Sequence, residues 1–294
     1  MSKSIELIDW SGHLFRCSSL SHITSTGRGV EITSKQREEL STLMDKIKLT
    51  EKQAERRDFL TDKLSAKPEL SKGAKTYLEG IWIEETFSRP KNFGNKYTEK
   101  GTEQETESMH LANGVLGWGL PSDYIDGIEF MKQRLNNEFI TGEPDINTGP
   151  HMGEAAGLLA DIKSSWDVHT FPHFKDVIES AYYAQGQGYM WLMGKTSFEL
   201  VYCLVDTPER LILDAIRRAE WAEGFIEIPE EYEKEIRQSM TFEDIPVEAR
   251  VKRYKFDADD EYIKKAKECI VMAREYLFEL NEKGTKNHFN SKQI

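Results

Sequence analysis

The sequence predicts an α/β fold, and three observations carry that expectation. Helical patterns, two apolar strands, a helix, a further apolar strand and a closing helix follow one another along the chain, the order expected when helices cover a sheet. The run FELVYCLV (residues 198–205) is almost continuously apolar, as a strand buried on both faces requires. The last helix, about 259–283, carries Ile263, Ala266, Ile270, Ala273, Leu277 and Leu280 at three-and-four spacing, a single apolar stripe that Gly284 is expected to end.

Taken in order, FRCSSLSHI (15–23) reads as a short turn opening a helix. A charged helix follows with Leu40, Leu43, Met44 and Ile47 on one side. Thr50 and Gln53 form a capping-box pattern that starts a second helix running to about Leu64. Pro68 breaks the chain, and Ser71 caps a third helix containing Tyr77, Leu78 and Ile81. Residues 88–104 are polar with glycines and a proline and read as a loop, with a helix beginning near Thr102. FITGEPDI (139–146) and GLLADIKSSW (157–166) each read as a strand, joined by the glycine-rich NTGPHMGEAA into an antiparallel hairpin with a long loop. Residues 174–193 read as helix, and Asp206-Thr207-Pro208 caps and opens another. The expectation is one domain over residues 1–294, with a charged helical arm or insertion at 31–87.

Composition narrows the functional classes. Of 294 residues, 38% are hydrophobic, enough to build a core and exclude a wholly disordered chain. No apolar run is long enough to span a bilayer, and MSKSIELIDWSGH lacks the apolar core of a secretory leader, so no membrane partner is expected. Cys17, Cys203 and Cys269 are scattered, which fits a reducing cytoplasm better than a disulfide framework. A net charge of −12 opposes diffuse binding to a polyanion, although the field inside a groove is what decides such binding. Basic residues slightly outnumber acidic ones from Glu31 to Lys75, while acidic ones dominate from Glu223 to Arg250. His169 and His173 are four apart, but Pro172 lies between them and no third zinc ligand is evident.

Three acidic groups and one lysine are the candidates for chemistry. Asp145 is expected to close the first hairpin strand, with Asp161 and Lys163 on the second. Residues two apart on a strand share a face, so Asp161 and Lys163 should project together while Ile162 enters the core and offers its carbonyl. If the strands pair, Asp145 approaches Asp161, and two carboxylates with a carbonyl are hard oxygen donors suited to Mg²⁺, or to Mn²⁺ in its place. Such an ion acidifies water and clamps phosphoryl oxygens, and a nearby lysine orients water or offsets developing charge. The carboxylates would hold that lysine protonated and a metal would push its pKa down; the sequence leaves both open. Gly186 and Gly188 inside the 174–193 helix allow either a close approach of substrate or backbone, or tight helix–sheet packing.

GEPDI followed by ADIKSSW resembles the signature of the PD-(D/E)XK nucleases. The helix AYYAQGQGYMWLMG (181–194) is similar to the QxxxY helix of lambda-type phage exonucleases and YqaJ-type viral recombinases. KGTEQETESMHLA (100–112) resembles their glycine-then-glutamate helix, at Gly101 and Glu105, and FRCSSLSHI resembles their arginine–serine segment. The four motifs run in the family's order. The resemblance implies a restriction-endonuclease-like core, a central mixed sheet flanked by helices, with a helical insertion. It implies Asp145, Asp161, the Ile162 carbonyl and Glu105 as metal ligands, Lys163 as the catalytic lysine, and Arg16, Ser18, Gln185 and Tyr189 as contacts to DNA phosphate, the last two alternatively as supports of the site. The implied activity is Mg²⁺-dependent 5′-to-3′ digestion of double-stranded DNA ends in phage-type recombination, feeding a single-strand annealing protein, with homo-oligomers known in the family and a host-cell cytoplasmic setting. Open beside it are an endonuclease, resolvase- or restriction-like, on the same fold, and a noncatalytic DNA-binding module.

Overall fold

The computed structural model describes residues 7–25, 32, 34–65, 69–91 and 96–289. Pro68 lies outside the described residues. The chain divides into two compact units, Met1–Lys91 with Asp260–Ile294, and Asn92–Asp259.

The first unit holds a two-residue strand β1 (Phe15–Arg16) and helices α1 (Leu20–Thr24), α2 (Ser34–Met44), α3 (Glu51–Ser65) and α4 (Lys72–Phe87). The Thr50 capping box forms as the spacing predicts: Thr50 N–H donates to Gln53 Oε1 at 3.1 Å and Gln53 N–H to Thr50 Oγ1 at 3.4 Å. Ser71 Oγ accepts from Ala74 N–H at 3.0 Å and starts α4. Leu40 and Leu43 are buried with Ile32 and Leu60, whereas Met44 and Ile47 are exposed because α2 ends at Met44. The long final helix of this unit spans Asp260–Phe289, and its stripe Ala266, Ile270, Ala273 and Leu277 is fully buried. Gly284 does not end it. A Cβ there would stand 2.6 Å from Trp82 Cη2 and Cζ2, so the glycine admits the Trp82 ring against the helix. Asn281 ties the same corner together, accepting from Trp10 and Trp82 Nε1 at 3.1 and 2.8 Å.

The second unit contains α5 (Lys96–Glu103), α6 (Glu105–Leu116), α7 (Ser122–Asp126) and α8 (Ile128–Met131), then strands β2 (Leu135–Asn136), β3 (Ile140–Gly142), β4 (Ile146–Asn147) and β5 (Leu159–Ser164). Next come α9 (Ser180–Met193), β6 (Ser197–Cys203), α10 (Glu209–Glu223), α11 (Glu230–Met240) and β7 (Val251–Asp257); the helix Asp260–Phe289 is thus α12. The mixed sheet runs β4-β5-β6-β7, with β4 antiparallel to β5, β5 parallel to β6 and β6 antiparallel to β7. The fold class is the expected one.

Several boundaries differ from expectation, each for a local reason. FITGEPDI is two strands rather than one: β3 pairs with β2, and after Pro144, which has no N–H to give a ladder, β4 pairs with β5. Asp145 therefore stands just before a strand instead of closing one. The polar stretch 88–104 contains α5 from Lys96 onward. Residues 174–179 precede α9 without joining it, and the carbonyl of Lys175 accepts from Tyr254 Oη at 2.6 Å. Asp206 does not cap α10; its carboxylate accepts from the Phe242 N–H at 2.6 Å.

One sheet face packs on α6 through Met109, Ala112, Ala160, Ile162, Val201 and Cys203. The other receives α9, where the Gly186 question resolves in favour of packing. A Cβ on Gly186 would lie 2.6 Å from Phe256 Cζ and 2.7 Å from Phe198 Cδ1. Gln187, fully buried, donates to the Asp257 carbonyl and accepts from the Asp259 N–H, both at 2.8 Å, and so holds the end of β7. Gly186→Ala should lower stability in urea or thermal melts by up to about 2 kcal/mol. That figure sets a typical overpacking cost of ~1–3 kcal/mol against a helix-propensity gain of ~1 kcal/mol; a stabilised variant would contradict the packing.

Candidate active site

The β4–β5 register decides what faces what. Ile146 pairs with Ala160, so the preceding Asp145 comes opposite Asp161 as the two strands continue. Asp145 Oδ2 accepts the Ile162 N–H at 2.7 Å, taking a ladder position that no β4 residue fills. The N–H and C=O of a strand residue lie along the same strand edge, so the Ile162 carbonyl is carried on the edge that faces Asp145. Ile162 itself is in the core, as expected.

Asp161 and Lys163 do share a face. Lys163 Nζ forms a close ion pair with Asp161 Oδ2 and lies 5.3 Å from the centre of the Tyr182 ring. Asp161 is 3% exposed, and the same Oδ2 is buried without a well-directed hydrogen bond. Burial, reinforced by the charge of Asp145, pushes the Asp161 carboxyl well above the usual carboxylate range even with Lys163 beside it. Burial alone would pull the Lys163 ammonium down, but the charges of Asp161 and Asp145 outweigh it and hold the amine above its ordinary value.

Glu105, the first residue of α6, completes a third corner. Burial raises its pKa first and the Asp145 charge second, against the opposing pull of Lys132. That lysine is absent from every motif. Its Nζ contacts Glu105 Oε1 closely and Asp145 Oδ1 at 3.2 Å, with its side chain 15% exposed. Burial would lower its pKa, yet the Asp145 and Glu105 charges raise it overall. Glu105, Asp145, Ile162, Lys163, Trp166 and Tyr182 all line one cavity of about 520 Å³, which Gly101 also borders.

The donor set suits a hard divalent cation: three carboxylates, one with an oxygen lacking a directed hydrogen bond, and a strand carbonyl. Their spacing is governed by ammonium groups, since Lys132 stands between Glu105 and Asp145 and Lys163 lies on Asp161. Among the described residues no three acidic, histidine or cysteine side chains converge on one ion-sized point.

The remaining motif residues are distributed as follows. Gln185 and Tyr189 are buried on one face of α9; Gln185 Nε2 donates to Tyr189 Oη at 3.0 Å, and that hydroxyl donates to the Glu143 carbonyl at 3.2 Å. The pair thus braces the segment leading to Asp145. Arg16 and Ser18 are exposed, on β1 and the 3₁₀ turn after it, in the helical unit.

The crystal structure of a phage-related exonuclease from Haemophilus somnus aligns over 92% of this chain and 96% of that one, at 25% identity and a TM-score of 0.61. The fold is that of a phage-type exonuclease. This likeness to phage-type members of the PD-(D/E)XK superfamily supports a nuclease in general terms. An alkaline exonuclease from Laribacter hongkongensis aligns over 95% and 96% at 11% identity and a TM-score of 0.46, and its dAMP complex over 92% and 95% at 12% and 0.40, too distant to bear on the site. No protein-family model and no curated protein matches the chain. Among the described residues, no helix is long and apolar enough to cross a membrane.

Three further residues escaped the sequence reading. Ser108 Oγ and Ser164 Oγ, 2.8 Å apart, link α6 to β5. Lys100, beside the motif glycine, is fully buried, with its Nζ donating to the Trp166 carbonyl at 3.0 Å and 5.0 Å from the Phe242 ring centre. Burial lowers its pKa to about 8, offset in part by Asp206 and Asp167. Because the folded value lies below the ordinary 10.5, the unfolded chain binds more protons between those limits, and stability rises with pH there. Against Lys100→Met, which has no such proton, wild-type stability should therefore gain as pH climbs from 8 to 10.5, by up to about 3 kcal/mol at 1.36 kcal/mol per pKa unit. Paired urea melts across that range test it; parallel curves would show that Lys100 titrates normally.

Proposed function

We propose that this protein is a divalent-metal-dependent deoxyribonuclease that degrades double-stranded DNA from its ends, 5′ to 3′. The observation that carries the reading is the Asp161–Lys163 pair on β5 with Asp145 beside it, next to a cavity that Lys163, Asp145 and Glu105 line. The likeness to a phage-related exonuclease favours end-directed digestion over internal cleavage. In the same reading the enzyme serves phage-type recombination in the host cytoplasm, as a homo-oligomer beside a single-strand annealing protein, as the motif resemblance implies.

Asp145, Asp161, the Ile162 carbonyl and Glu105 would hold Mg²⁺, or Mn²⁺ in its place. Bound there, the ion would neutralise phosphate charge and make water more acidic. The protein's own groups do the rest. Lys163, held protonated by Asp161 and Asp145, donates to a phosphoryl oxygen as negative charge grows on it, which suits an electrostatic role rather than that of a base. The Tyr182 ring beneath the ammonium restrains its direction. Gln185 and Tyr189 hold the Glu143 carbonyl and so fix the approach of Asp145 to β5. Arg16 and Ser18, both exposed, would take phosphates of the DNA.

Asp161→Asn removes a buried charge without changing volume. It should cut hydrolysis about a hundredfold or more, while the fold is retained, because the charge of Asp145 still faces the Lys163 ammonium. Lys163→Met should lose activity to a similar degree. Full activity in either variant would reject the site. Wild type should consume linear duplex and spare a covalently closed circle; a nicked or linearised circle would make it an endonuclease.

A further inference from the structure

Among the described residues, Lys132 is the one cation in contact with two of the carboxylates assigned to the metal, and its position has a consequence for how an ion enters. Its Nζ reaches Glu105 Oε1 and Asp145 Oδ1 together, on side chains that are 24% and 16% exposed. An ammonium with two carboxylate oxygens around it does what a bound cation would do there: it screens their mutual repulsion and fixes their separation. Resting on the reading of the site as metal-dependent, we infer that Lys132 is a tethered counter-cation, a positioning residue that holds Glu105 and Asp145 ready in the metal-free protein and is displaced when the divalent ion binds.

Charge and geometry both argue for displacement. With all three carboxyls ionised and Lys132 in place, three carboxylates face two ammonium groups and the corner carries a single net negative charge. With Lys132 withdrawn, the same carboxylates and Lys163 leave two negative charges, matching a divalent cation. Two cations cannot share the same pair of carboxylate oxygens at contact distance without strong repulsion. The lysine is also built to leave. It follows the four-residue helix α8 in a stretch without regular structure, before β2, and its stem is a flexible four-carbon chain. Lys163 differs, because its partner Asp161 is almost fully buried and the Tyr182 ring backs it. The site thus contains one lysine that stays and one that yields.

The test is direct binding of Mn²⁺, measured by calorimetry or by its electron-spin signal, without DNA and without reading activity. Lys132→Met and Lys132→Gln should each bind Mn²⁺ roughly tenfold more tightly than wild type, a factor equal to about 1.4 kcal/mol, while Lys132→Arg, which keeps the charge, should stay near wild type. In melts the neutral variants should lose stability in chelator and regain more than wild type on adding Mn²⁺. Unchanged or weaker affinity in the neutral variants overturns the inference, since Lys132 would then be compatible with the ion or needed for it. Wild-type protein gives an answer free of folding effects: amine labelling read by mass spectrometry should mark Lys132 more strongly with Mn²⁺ than with chelator, and equal labelling also overturns it. Asp161→Asn serves as the control. Loss of Mn²⁺ binding in it keeps the metal site while Lys132 is judged, whereas wild-type binding in it would bring down the metal reading itself.

Discussion

Two aspartates held side by side in a partly buried corner repel each other, and much of the α/β unit is arranged to keep them there. Asp145 is fixed by accepting the Ile162 N–H, so its place is set by the strand edge and not by its charge. Asp161 is fixed by the pleat of β5, which turns Ala160 and Ile162 into the core and leaves Asp161 and Lys163 on the opposite face. Neither position could be kept without compensation, and the compensation comes from lysines: Lys163 in sequence with Asp161, Lys132 from a distant turn. The corner is therefore poised. Its two aspartates are set by strand geometry and its charges are only partly balanced, the condition under which a small cation or a phosphate gains most from binding.

The support extends outward in layers. Behind Asp145, Tyr189 and Gln185 tie α9 to the Glu143 carbonyl; behind β5, Ser164 meets Ser108 on α6, whose first residue is Glu105. Gly186 lets α9 lie close on Phe198 and Phe256, and that close approach brings the Gln185–Tyr189 face down to the strand segment. A chain of packing contacts thus runs from the outer strand β7 to the carboxylate of Asp145. A change at Gly186 can reach the site with no contact to it.

What was legible in the sequence followed from period and capping. The β5 face assignment, the burial of Ile162, the Thr50 and Ser71 caps and the α12 stripe all come from local rules that tertiary structure did not override. What was not legible depended on partners far along the chain. Strand β7, VKRYKFD, alternates charged and aromatic residues; its pairing with β6 is antiparallel along its whole length, and Arg253 and Lys255 lie near the buried Glu199. Helix α5 looks like a polar loop because its one buried side chain is a lysine, anchored on the Trp166 carbonyl 66 residues later. Gly284 looks like a stop because a glycine after an apolar stripe usually is one; the ring of Trp82 gives it another purpose. Lys132 sits in a polar run with no spacing to any motif, and only the folded turn brings it between Glu105 and Asp145.

The net charge of −12 poses an apparent conflict with a polyanionic substrate, and the geometry relieves it. Exposed charges more than about 10 Å apart are largely screened at ordinary salt, and Glu99 and Glu103, on the helix that borders the cavity, are paired with Arg210 of α10. Inside the cavity the cations are close and oriented: Lys163 over Tyr182, and Lys96 4.6 Å from the centre of the Trp166 ring at the rim. The carboxylates beside them would repel a phosphate if left bare, so on the function proposed above a phosphodiester and a divalent ion would each make the other's binding more favourable there. An acidic protein with such a corner would hold DNA poorly without metal and grip it where the ion sits, so that cleavage and binding select the same place.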